Sequence, residues 1–315
     1  MQKVKTQKGK VTLVFKKTDP YNRFAKTPQF VVVDEGKARL SKAKSNRLQA
    51  FPEDNIKAGR QTSQPRLTVA VESLPEKTLG FQPRETYKDF VLKELEFSLK
   101  KLKRFFKLPF FPIKVFLAYS RKEFDNFIGR KTALWEVGSA NCPKNEVCLL
   151  SPLIFEKEST HKKGDFPRVL THELAHLFTY RLYPFYEPRW LREGLAYFIA
   201  GQGKPDFRQR VNLLVSNGDF LSRIDTAKSW RENLYHGAYH LSFLWVSFLI
   251  KKFGKERMLE LFKKINFPYE KKKFDEVFIQ VYRQDLDSLQ KEFIKNYFSR
   301  SSKRKGGENK NDSRI

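Results

Sequence analysis

The run Thr171-His172-Glu173-Leu174-Ala175-His176 constrains the fold of this chain more than any other six residues in it. In an α-helix, positions i and i+4 lie on one face about 40° apart, so two imidazoles address one point while the glutamate between them projects beside it. A further acid, Glu193, stands in Trp190-Leu191-Arg192-Glu193-Gly194-Leu195-Ala196-Tyr197, 17 positions after His176. That interval accommodates the end of one helix, a reversal through Tyr183-Pro184 to Glu187-Pro188, and a second helix that brings its carboxylate back to the histidines.

Two imidazoles and one carboxylate leave the fourth position of a tetrahedral zinc ion open to water, which is the donor set of a hydrolytic site and not of a closed structural one. His172, His176 and Glu193 are therefore the expected ligands of one Zn²⁺ per chain, and Glu173 the expected general base toward the metal-activated water. With five histidines in 315 residues, accident produces H-E-x-x-H about 0.005 times in a chain of this length.

Around these residues the sequence predicts an α+β fold. A strand is expected at Arg66–Glu72, a long amphipathic helix over 86–106, a buried strand at Ile113–Tyr119, a short helix near Arg121–Ile128 and a strand at Val147–Leu150. The long helix shows its apolar stripe at Phe90, Leu92, Leu95, Phe97, Leu99, Leu102 and Phe106. Past Asp165 the pattern becomes almost wholly helical, over 167–182, 189–200, 206–216, 231–253, 255–265 and 271–298. Residues 1–63 read as a basic, weakly structured arm, 64–300 as one domain and 301–315 as a polar tail. Two short β-branched runs within the arm, Val11–Phe15 and Phe30–Val33, are candidate strands.

The pairing of His172, Glu173 and His176 with the Trp190-Leu191-x-Glu193-Gly194-x-Ala196 block resembles the gluzincin metallopeptidases of the thermolysin and aminopeptidase clan, and within it the peptidase-MA-like domains. Looser similarity runs from Arg66 to Phe298. The resemblance implies a zincin-like fold, with the metal helix under a small mixed sheet, and hydrolysis of peptide bonds in a peptide or protein substrate lying along an edge strand. Glu146–Leu150, just ahead of the metal helix, is expected to be that edge. It also implies a donor for the oxyanion from a later helix; Tyr239 matches the position, with Tyr235, His236 and His240 as competitors within about one helical turn. Where thermolysin-like enzymes carry an aspartate four residues after the ligand glutamate, this chain has Tyr197, which leaves the partner of the histidines open.

Charge suggests other readings. Sixty-two Lys and Arg against 35 Asp and Glu give +27, and residues 1–50 hold 13 basic and three acidic side chains. Weak, non-specific attraction to anionic surfaces is expected, and a nucleic-acid-associated protein is an alternative, as is a catalytically silent zincin-fold binding module. Retention of both histidines and both glutamates argues against the silent module. No secretory-type apolar run follows the basic start, and the most apolar window, Leu241–Ile250, falls short of the ~20 residues needed to span a bilayer, so no transmembrane segment and a cytoplasmic default location are expected. Cys142 and Cys148 are expected as free thiols, and His161 as a solvated loop residue.

Overall fold

The computed structural model describes residues 69–72, 84–203, 211–216 and 218–298. The candidate strands at Val11–Phe15 and Phe30–Val33, and the whole of the proposed arm and tail, lie outside the described residues. The first half runs β1 (Val69–Glu72), α1 (Arg84–Phe106), β2 (Ile113–Ala118), α2 (Arg121–Ile128), β3 (Gly138–Asn141), β4 (Glu146–Leu150) and α3 (Phe155–Glu158). The helical half comprises α4 (Phe166–Leu182), α5 (Arg189–Ala200), α6 (Asn212–Val215), α7 (Ala227–Asn233), α8 (Ala238–Phe253), α9 (Lys255–Lys264), α10 (Lys271–Tyr282) and α11 (Leu286–Tyr297). This is an α+β, zincin-like architecture: a small mixed sheet with a long helix, followed by helices.

The four strands lie in the order β1-β2-β4-β3, with β1, β2 and β4 parallel and β3 antiparallel to β4. This order corrects one expectation. Glu146–Leu150 is not an edge: it pairs with β2 on one side and β3 on the other, and all five of its residues are buried. An unbroken run of inward-facing residues is what a strand covered on both faces requires. The edge next to the metal helix is instead β3, Gly-Ser-Ala-Asn, whose small and polar residues carry no strand signal.

Two helices expected as continuous are broken, each by a residue in the left-handed region. Gly237 at φ 97° separates α7 from α8, and Arg283 at φ 58° ends α10 before Asp285 caps α11 by accepting the Ser288 amide. Of the helix expected over 206–216, the described part is helical at Asn212–Val215. On α1, Val91, Leu95, Leu99, Leu102 and Phe106 form the buried face, whereas Phe97 is 63% exposed, off the stripe that the sequence suggested.

α4 lies between α1, β3 and α5. One of its contacts with α1 is polar: Ser98 and Thr171, both buried, share a hydrogen bond of 2.8 Å that fixes the rotation of α4 one residue before His172. α5 then crosses α8 so closely that a Cβ on Gly194 would lie 2.3 Å from the Ser242 carbonyl oxygen and 2.6 Å from Val246 Cγ2. Absence of a side chain at 194 therefore sets the distance between the two helices, and with it the position of the neighbouring Glu193.

Candidate metal centre

The two histidines project from the middle of α4, and Glu193 reaches them from α5. His172 Nε2 and His176 Nε2 are 3.0 Å apart, and Glu193 Oε2 lies 3.5 Å from each. Donor atoms bound to one tetrahedral zinc at ~2.0–2.1 Å stand about 3.3 Å from one another, so the triangle has the dimensions that such an ion requires. Among the described residues this is the one group of three or more such side chains placed to hold a metal ion. All three are buried, at 7% exposure for His172, 9% for His176 and 8% for Glu193.

The donor set is electrostatically poised for a cation. Burial opposes the charge on Glu193, but the charges of and hydrogen bonds from His176 and His172 outweigh it and hold the carboxyl well below the usual carboxylate range. Burial draws His176 down, against the opposing pull of Glu193, toward the neutral form in which a nitrogen lone pair is free to ligate. His172 is affected oppositely: burial lowers it, and the neighbouring Glu193 and Glu173 raise it above its ordinary value.

His172 also has a partner that the sequence did not reveal. Its Nδ1 donates to Gln202 Oε1 at 2.8 Å, which fixes the tautomer with Nε2 turned toward Glu193. Gln202 follows Gly201, the left-handed cap of α5, and its amide bonds to the Tyr197 carbonyl. Tyr197, at the position of the absent aspartate, meets the His172 ring edge-on at 5.2 Å. Glu193 Oε1, the oxygen not turned to the histidines, lies 3.7 Å from Arg189 Nη1.

Arg192 is a second residue that the sequence left unassigned. Only 2% exposed, it donates from Nη1 to the Phe185 carbonyl at 2.7 Å and from Nη2 to the His176 carbonyl at 3.4 Å, and its guanidinium sits 4.8 Å from the Tyr186 ring centroid. It thereby ties α5 to the C-terminal half of α4, where carbonyl groups favour a cation.

Glu173 is 8% exposed; burial, reinforced by the charge of Glu193 and opposed by that of His172, pushes its carboxyl up to about 7. Of the four candidates on or before α8, Tyr239 packs into the cluster: it stacks on Tyr197 at 5.3 Å and meets Trp135 and Trp230 edge-on at 6.2 and 5.0 Å. Burial, with the charges of Glu193 and Glu173 adding to it, raises its phenol well above the ordinary value. Tyr235 is 83% exposed and His236 is exposed, while His240 is half-buried. No second metal cluster with His236 and His240 forms among the described residues.

Cys142 and Cys148 are free and buried, as expected, and burial pushes the Cys148 thiol up to about 12. His161 departs from the expectation of a solvated residue: it is half-buried, with Nε2 3.0 Å from the Trp135 carbonyl.

A sheet beside a helix bearing two histidines, with the third donor on the next helix, defines a zincin-like domain of gluzincin type. The sequence model of the peptidase MA superfamily matches residues 161–299, which contain all three donors, so that part of the chain is a peptidase-MA-like domain. No curated protein matches the chain. No helix among the described residues is long and apolar enough to cross a membrane.

Proposed function

We propose that the chain is a zinc metallopeptidase in which His172, His176 and Glu193 hold the ion, Glu173 is the general base and Tyr239 stabilises the oxyanion. The observation that carries this reading is the donor triangle of 3.0, 3.5 and 3.5 Å on two helices, with Glu173 buried next to His172 in sequence. A bound zinc ion supplies a Lewis acid that polarises the scissile carbonyl and acidifies the attacking water. Glu173 accepts the proton from that water and delivers it to the leaving amine; a carboxyl raised toward neutrality by burial is matched to both transfers. Tyr239, with its phenol kept protonated, donates toward the oxygen on which negative charge develops. Gln202 and Arg189 orient His172 and Glu193 from behind.

The substrate backbone is proposed to extend along β3, the edge strand, which packs on α4. Cleavage of a mixed peptide library, with and without a chelator, tests the reading. The native chain is expected to cut peptides only in the absence of chelator, and Glu173→Gln is expected to keep about one zinc per chain while losing turnover. A Glu173→Gln variant as active as the native protein would remove Glu173 from the mechanism. Zinc uptake without cleavage of any peptide would favour the silent binding module.

A further inference from the structure

Gly138, at the start of β3, lies against Glu173. A Cβ built on Gly138 would stand 2.7 Å from Glu173 Cγ, 2.8 Å from Glu173 Oε1 and 3.0 Å from Val169 Cγ1. Its backbone φ is not in the left-handed region, so conformational freedom is not what the position requires. What it requires is space, and that space is taken chiefly by the carboxylate arm of Glu173, with Val169 Cγ1 at its margin.

The contact is built from both sides. β3 is held in register on β4, with Gly138 opposite Leu149 and Ser139 opposite Cys148, so the strand cannot withdraw without breaking its ladder. The loop leading into it is clamped by Arg121, whose guanidinium donates to the carbonyls of Ala133, Leu134 and Glu136. On the other side, α4 is fixed by the Ser98–Thr171 hydrogen bond and by a core that leaves Leu170 and Leu174 fully buried. The element free to move is the Glu173 side chain, and it is itself 8% exposed, with little room to settle elsewhere.

We infer that Gly138 is a positioning residue: its missing side chain seats the Glu173 carboxylate in the one place from which it can exchange a proton with the attacking water. The inference rests on the peptidase reading for its catalytic consequence, but the contact itself does not. A methyl group at 138 displaces the carboxylate, because its two closest contacts are atoms of the Glu173 side chain and none of its three nearest atoms belongs to a ligand. Misplacement of a reacting group by about 1 Å costs on the order of 10²-fold in rate.

The test is Gly138→Ala in the full chain, alone and combined with Glu173→Ala. With a fluorogenic peptide chosen from the library, Gly138→Ala is expected to lower kcat about 10²-fold, leave KM within about twofold and retain the native zinc content. Thermal unfolding supplies a readout independent of turnover. Gly138→Ala is expected to lower Tm in the native background and to lower it by less in Glu173→Ala, where the two closest clashing atoms are gone and only the 3.0 Å approach to Val169 Cγ1 remains. An equal Tm loss in both backgrounds, or native kcat in the single variant, overturns the inference. If the native chain cuts no peptide, the Tm coupling alone decides the contact, and its presence then assigns the failure to the peptidase reading.

Discussion

Gly194 offers a stringent test of how the third donor is placed. Gly194→Ala adds a methyl group 2.3 Å from the Ser242 carbonyl oxygen, 2.7 Å from the Ser242 carbonyl carbon and 2.6 Å from Val246 Cγ2. Carbon and carbonyl oxygen come no closer than about 3.3 Å in comfortable contact, so α5 and α8 must part by about 1 Å or carry the strain. The principal obstacle is helix backbone, which cannot rotate away as a side chain would. Overpacking of this kind costs ~1–3 kcal/mol. For a domain of this size each kcal/mol shifts the midpoint by roughly 2–4 °C, so thermal unfolding of the metal-free variant should show Tm lowered by about 2–12 °C. Because α5 carries Glu193, the displacement also opens the 3.5 Å edges of the donor triangle, and zinc affinity should fall in a competition titration with a chromophoric chelator. Gly164→Ala is the control: a Cβ there meets nothing within 4 Å, and Tm should stay within about 1 °C of native. A Gly194→Ala protein with native Tm and native zinc affinity would refute the argument that this helix contact sets the site.

Two further substitutions separate the supporting residues from the ligands. Gln202→Leu removes the acceptor of the His172 Nδ1 proton, and zinc affinity is expected to drop about 10–100-fold with the fold retained; unchanged affinity in the same titration would show that the tautomer is fixed without it. Tyr239→Phe is expected to lower kcat by about 10²–10³ at native zinc content, whereas Tyr235→Phe, at a side chain 83% exposed, should be silent, and the reverse ranking in a peptide assay would reassign the oxyanion donor.

How much of this was legible in the sequence depended on whether a residue's role has a spacing. His172 and His176 share a helix face by the period of the α-helix, and Glu193 follows after a Pro-marked reversal, so the donors are visible in one dimension. The edge strand was not, because Gly138–Asn141 contains no β-branched or aromatic residue and owes its conformation to its ladder with β4. That omission also misassigned Glu146–Leu150 as the edge, since strand order is a non-local property. Gln202 and Arg192 escaped for a related reason: one amide 30 positions from His172 and one arginine within an apolar helix bear no mark of their partners until α4 and α5 are in contact. Gly194 was legible as part of a motif, but its reason, the Ser242 carbonyl on α8, lies 48 residues further along the chain.

The central claim, that two imidazoles from α4 and a carboxylate from α5 bind one metal ion, is tested most directly by metal analysis of the purified chain after zinc loading and desalting. The expected result is about one zinc per chain in the native protein, lost in His176→Ala because two remaining donors retain little affinity. Native protein that retains no zinc, or His176→Ala that retains as much as the native chain, would contradict it.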